Sequence, residues 1–192
     1  MKTVQVLAIL TQGLIFPSDN PYEKFLKYLN QSGSLKFKLE FNQVQNNVFF
    51  NTEGDFYLIK KNHYFFDDEF RRIIFQDSLI TTINKKYKQI IYDYSTPEDL
   101  NIFNILSGNS RSLSFNGYKV ENKYYKVRFN LLDPDLSGTI LIGLKTGQPY
   151  AISLTSKDYF NTEIKISSII KYDPEKLAKI DLNDFEKIDF RE

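Results

Sequence analysis

The 192-residue chain has no cysteine and no tryptophan, and only one histidine and one methionine. Without cysteine there can be no disulfide, no thiolate metal ligand, no catalytic thiol and no lipid-modified N-terminal Cys. His63, the single histidine, lies in a run rich in Tyr and Phe with no second His or Cys near it, which makes it a poor metal ligand or general base. A surplus of either charge is also missing. Lys and Arg (25) nearly match Asp and Glu (24), leaving a net charge of +1 without the basic bias of a nucleic-acid binder. The G-x-S-x-G, P-loop and dinucleotide signatures are absent. Asp67, Asp68 and Glu69 are adjacent on a turn, whereas glycoside hydrolysis needs carboxylates opposed across a cleft. Asp133 to Gly138 lacks the third ligand position and distal Glu of a calcium loop and reads as a turn. No catalytic residue, metal site or cofactor is expected.

Long apolar runs are scarce too. Met1 to Phe16, MKTVQVLAILTQGLIF, is too short for a comfortable membrane span; a Lys followed by a mostly apolar run that Thr11 and Gln12 interrupt has the form of a secretory signal, the alternative being a buried N-terminal helix or strand. With no internal repeat or low-complexity linker, the expected organisation is an N-terminal apolar segment over 1–18 and a single domain over 19–192.

What the chain has in quantity is aromatic residues, 17 Phe and 13 Tyr, which favour strands and bring large apolar area. In Ser34 to Gln43, Leu35, Phe37, Leu39 and Phe41 alternate with Lys36, Lys38, Glu40 and Asn42, a pattern that only a strand separates onto two faces. The same alternation recurs downstream and predicts strands near 35–45, 48–51, 54–60, 63–67, 71–76, 79–84, 88–94, 112–120, 123–132, 138–145, 149–156 and 161–171. Asn20-Pro21 predicts a helix with Tyr22, Phe25, Leu26 and Leu29 on one stripe, and Thr96-Pro97-Glu98-Asp99 predicts a second carrying Leu100, Phe103 and Leu106. Asp173-Pro174 reads as a further helix start, followed by a helix and then a strand in IDLNDFEKIDF. One large antiparallel sheet with an aromatic inner face results, and that face needs a cover.

The order of helix, run of strands, central helix and more strands resembles the outer-membrane lipoprotein carrier protein family (LolA-like). Four matches carry the resemblance: Phe41-Asn42-Gln43 closing the first strand; Gly54-Asp55-Phe56-Tyr57-Leu58-Ile59 leading to Lys60-Lys61-Asn62; Ile73-Ile74-Phe75-Gln76-Asp77; and the hairpin from Ser137 to Thr155. The family has Arg then Pro where this chain has Lys60 and Lys61, a glycine where it has Ser78, and a tryptophan that it lacks.

The resemblance implies a mainly β fold with α, an incomplete, half-open antiparallel barrel covered by a helical lid. It implies a periplasmic monomer of a Gram-negative bacterium that makes and breaks no bond. Such a carrier binds the acyl chains of lipoproteins, receives them from an inner-membrane ABC transporter and passes them to an outer-membrane receptor. Leu35, Phe37, Leu39, Phe41, Phe56 and Leu58 would line the cavity, Leu100, Phe103 and Leu106 would form the lid, and Lys60 would stand in for the lid-closing arginine with a looser grip. Periodicity alone makes the first set an ordinary core, and it leaves the lid stripe equally compatible with a helix on a full core. Lys60, Arg71 and Arg72 read either as solvated charges at strand ends or as contacts for acidic partners or head groups. A sensor or scaffold of the same fold is the alternative function.

Overall fold

The computed structural model describes residues 20–45, 48–95, 102–109, 113–131, 136–156, 160–176 and 179–191. The expected signal segment, Leu100 and the cap at 96–99 lie outside them. Helix α1 (Pro21–Gln31) starts as its sequence dictates: the Asn20 side chain accepts from the Tyr22 N–H at 3.0 Å and Pro21 occupies the first turn. Tyr22, Phe25 and Leu29 form its buried stripe, and Gly33 at φ +70° turns the chain into the sheet.

Twelve strands follow: β1 (Leu35–Gln45), β2 (Val48–Lys60), β3 (His63–Asp67), β4 (Arg71–Gln76), β5 (Leu79–Asn84), β6 (Gln89–Tyr94), β7 (Leu113–Glu121), β8 (Tyr124–Leu131), β9 (Leu136–Gly143), β10 (Pro149–Ser156), β11 (Phe160–Lys171) and β12 (Glu186–Asp189). Helix α2 (Ile102–Leu106) lies between β6 and β7. The strands form one sheet in the order β12-β6-β5-β4-β3-β2-β1-β11-β10-β9-β8-β7, which does not close into a barrel. Two meanders, β1 to β6 and β7 to β11, meet where β1 pairs β11, Leu35 lying opposite Lys171 and Gln45 opposite Phe160. The half-open, helix-covered sheet expected from the sequence is the observed architecture.

Four expectations need correction. The strands expected at 48–51 and 54–60 are one strand, because Asn51, Thr52 and Glu53 continue the ladder opposite Asn42, Phe41 and Glu40. The helix start expected at Asp173 yields a single 3₁₀ turn over Pro174–Lys176, and the helix expected at the start of IDLNDFEKIDF does not form, a turn at Asn183 and Asp184 leading straight into β12. The sheet is antiparallel except at its last pair, where β12 runs parallel to β6 with Ile188 opposite Ile91. A parallel partner requires a crossover, and 172–185 supply it.

Alternation sorts the faces. Leu35, Phe37, Leu39, Phe56, Leu58, Tyr64 and Phe66 are buried on the concave side with Val127, Phe129, Ile140, Ile142, Ile152 and Ile164. The helices fill the space they enclose: Phe25 of α1 and Ile105 and Leu106 of α2 are 0% exposed. The convex side carries the pairs Lys36–Asp55 (2.7 Å) and Arg72–Asp67 (2.7 Å). It is also partly covered: Tyr57 stacks on Phe65 at 4.2 Å, and Tyr172, entering the crossover, meets Tyr57 edge-on at 4.7 Å. Among the described residues no helix is long and apolar enough to cross a membrane.

Candidate functional site

Phe103 organises the open mouth of the sheet. Helix α2 directs its ring among three others: stacked on Phe56 at 5.5 Å, over Phe66 at 5.0 Å and against the edge of Phe41 at 6.1 Å. Such offset and edge contacts add to the area the rings bury. Gly54 makes the cluster possible. A Cβ there would fall 2.4 Å from the Phe66 ring, so only glycine lets that ring lie flat on β2.

Helix α2 has a polar anchor as well. The buried Tyr64 hydroxyl donates to Asn104 Oδ1 at 2.5 Å, and Ser107 Oγ donates to the Asn104 carbonyl at 2.9 Å. An amide within an otherwise apolar helix is costly to bury unless bonded, and Tyr64 supplies that bond from β3.

Outside this cluster, between α2 and the rim of β1, β2, β4, β10 and β11, is a pocket of about 320 Å³. Phe41, Phe50, Phe66, Ile102, Phe103 and Leu154 supply its apolar lining, with Gln43, Thr52, Thr162 and Arg71 as the polar members. Of the residues the sequence nominated, Phe41 and Phe103 line the pocket. Phe37, Leu39 and Phe56 are fully enclosed beneath it, and Leu35 and Leu58 are nearly so. Leu106 is fully buried at the end of α2. Lys60 is exposed and borders a second pocket, of about 340 Å³, that also reaches Asn30, Ser34 and Ser107.

Sequence reasoning missed Phe66, Tyr64, Asn104 and Leu154, and it left Arg71 undecided. In HYFFD both alternating sets are aromatic, so the pattern alone does not say that Tyr64 and Phe66, rather than Phe65, face inward. Asn104 did carry a signal, being an amide set between Phe103 and Ile105 in an apolar helical run.

At the rim, the turn from β3 to β4 is fixed by Asp68. Its Oδ1 accepts from the Phe70 and Arg71 N–H groups, both at 2.8 Å, and its Oδ2 lies 3.4 Å from Arg71 Nε. Asp67, on the convex side, bonds both Arg72 and Lys85 at 2.7 Å. Burial pushes its carboxyl up, but those two cations outweigh burial and hold it below its ordinary value. Among the described residues no group of His, Asp and Glu is arranged to hold a metal ion.

No protein-family model and no curated protein sequence matches the chain. Solved structures do match. An uncharacterised conserved protein from Thermus thermophilus superimposes with a TM-score of 0.58 at 7% identity, covering 88% of this chain and 99% of that one. A LolA superfamily protein from Nitrosomonas europaea gives 0.48 at 8% identity over 85% and 99% of the two chains. A DUF1329 family protein from Desulfovibrio piger gives 0.46 at 8% identity over 85% and 96%. At such identities what the chain shares with the Thermus protein is its fold.

Proposed function

We propose that the chain is a lipid-binding carrier, one that takes up the acyl chains of lipoproteins in the periplasm and moves them from the inner to the outer membrane. The observation that carries this reading is the apolar pocket at the open mouth of the sheet, closed on one side by a short helix whose Phe103 ring plugs the aromatic cluster. Each methylene moved from water into such a site contributes about 0.8 kcal/mol, so even one chain is held firmly. Release needs a cover that can leave. In this reading α2 is the lid, Phe103 withdraws to admit the chains, and Leu35, Phe37, Leu39, Phe41, Phe56 and Leu58 become the floor of the enlarged cavity. Lys60 and Ser107 border one depression at the far end of α2, which suits Lys60 to gating. The partners are acylated lipoproteins, an inner-membrane ABC transporter and an outer-membrane receptor, and the carrier works as a monomer without bond chemistry.

The test is native mass spectrometry of the protein with a purified triacylated lipoprotein. The expected result is a one-to-one complex that disappears when the acyl chains are removed. A complex indifferent to acylation overturns the reading.

A further inference from the structure

The pocket lining is apolar around one charge. Strand alternation puts Arg71 on the concave side: its neighbour Arg72 pairs with Asp67 on the convex face, while Ile73 lies opposite the inward-facing Phe66. Among the described residues that line the pocket Arg71 is the sole ionisable one, and no carboxylate shares that described lining with it. The guanidinium is also preset. Asp68, 3% exposed, bonds the Arg71 backbone N–H and lies 3.4 Å from Nε, while the Arg71 side chain stays 52% exposed at the rim. Asp68 thus engages one edge of the planar fork, and a guanidinium fork suits an oxyanion.

Size narrows the ligand further. If a methylene occupies about the ~30 Å³ of a water molecule, a pocket of about 320 Å³ holds roughly ten of them. That is one acyl chain of modest length, with its polar end at the rim.

We propose that this pocket selects single-chain amphiphiles with an anionic head group, the chain lying against Phe41, Phe66 and Phe103 and the head pairing with Arg71. The proposal rests on the acyl-binding reading above and names the ligand class that the site takes with α2 in its observed place. Gln43, Thr52 and Thr162 add hydrogen-bonding groups to the same lining and leave the charge preference to Arg71.

The experiment is isothermal titration calorimetry of the full chain with dodecanoate, dodecyl phosphate and dodecanol, in the wild type, in Arg71→Gln and in Lys38→Gln, a convex-face control. At least one anionic ligand should bind about ten-fold or more tighter than dodecanol, as a charge-assisted hydrogen bond predicts. Arg71→Gln should abolish that preference while still binding dodecanol, which also shows that the variant is folded. Lys38→Gln should keep it. Which anion is preferred identifies the head group as carboxylate or phosphate. Equal binding of all three by the wild type, or a preference that survives in Arg71→Gln, overturns the role of Arg71 and leaves acyl binding standing. If none of the three binds the wild type, the acyl-binding reading itself falls.

Discussion

At the scale of single residues, the site depends on how Phe66, Phe103 and Tyr64 are held. Tyr64→Phe keeps the ring stacked on Phe75 at 4.8 Å but removes the donor to Asn104 Oδ1. The cost should be about 1–2 kcal/mol, that of a buried acceptor losing a partner, measured as a shift in the urea midpoint. Release of a bound fluorescent fatty acid should speed up with it, since α2 loses an anchor. Phe103→Ala should cost about 2–3 kcal/mol, less than a fully buried phenylalanine because this residue is only partly buried at the pocket. The same variant should admit a longer alkyl chain in calorimetry. Gly54→Ala places a methyl where the Phe66 ring lies. It should destabilise by about 1–3 kcal/mol and weaken amphiphile binding through displacement of Phe66, although residue 54 is not part of the lining.

Elements differ in how firmly they are tied. Helix α2 has five residues, too few to persist without its tertiary contacts, so it opens as a unit when these fail. In native-state hydrogen exchange its amides should exchange well before those of β1 and β2, and bound amphiphile should slow them. The turn from β3 to β4 is instead set by ionised groups. Because Asp67 has a depressed native carboxyl pKa, its contribution is fully present above about pH 4, the ordinary unfolded value, and is lost as pH falls through the native value. Asp67→Asn should flatten the pH dependence of the urea midpoint in that acid window. A slope unchanged from wild type would assign acid lability to other groups. These differences also explain what could be read in the sequence. Strands β1, β3, β4, β5 and β10 were legible to the residue because runs rich in Leu, Phe, Ile and Tyr are bounded in the sequence by polar residues. A strand closing IDLNDFEKIDF was read as well, but its parallel pairing with β6 was not, since the four residues of β12 have no alternation of their own to name a partner. Arg71 was visible as a charge, but its concave orientation depends on the register of β4 against β3, which no local pattern supplies.

For the whole molecule, the sheet gains its size from one seam. Within β1 to β6 and within β7 to β11 every pairing joins neighbours in sequence, whereas β1 with β11 joins the two meanders and β12 with β6 returns the C-terminal strand to the first. Removing 173–192 should therefore cost more than four residues of ladder. It leaves β6 as a bare edge, whose unpaired N–H and C=O groups can template pairing with another chain. The expected outcome is a lower melting temperature and concentration-dependent association, read by calorimetry and light scattering. The same seam makes the chain a natural split protein. A backbone cut between Asn109 and Leu113 would leave one fragment with β1 as an open edge and another with the matching β11, the second also carrying β12 to clasp the first at its far side. Two such fragments, expressed apart and mixed, hold between them the instructions for reassembly, so a reporter fused to each half would light up only where both meet.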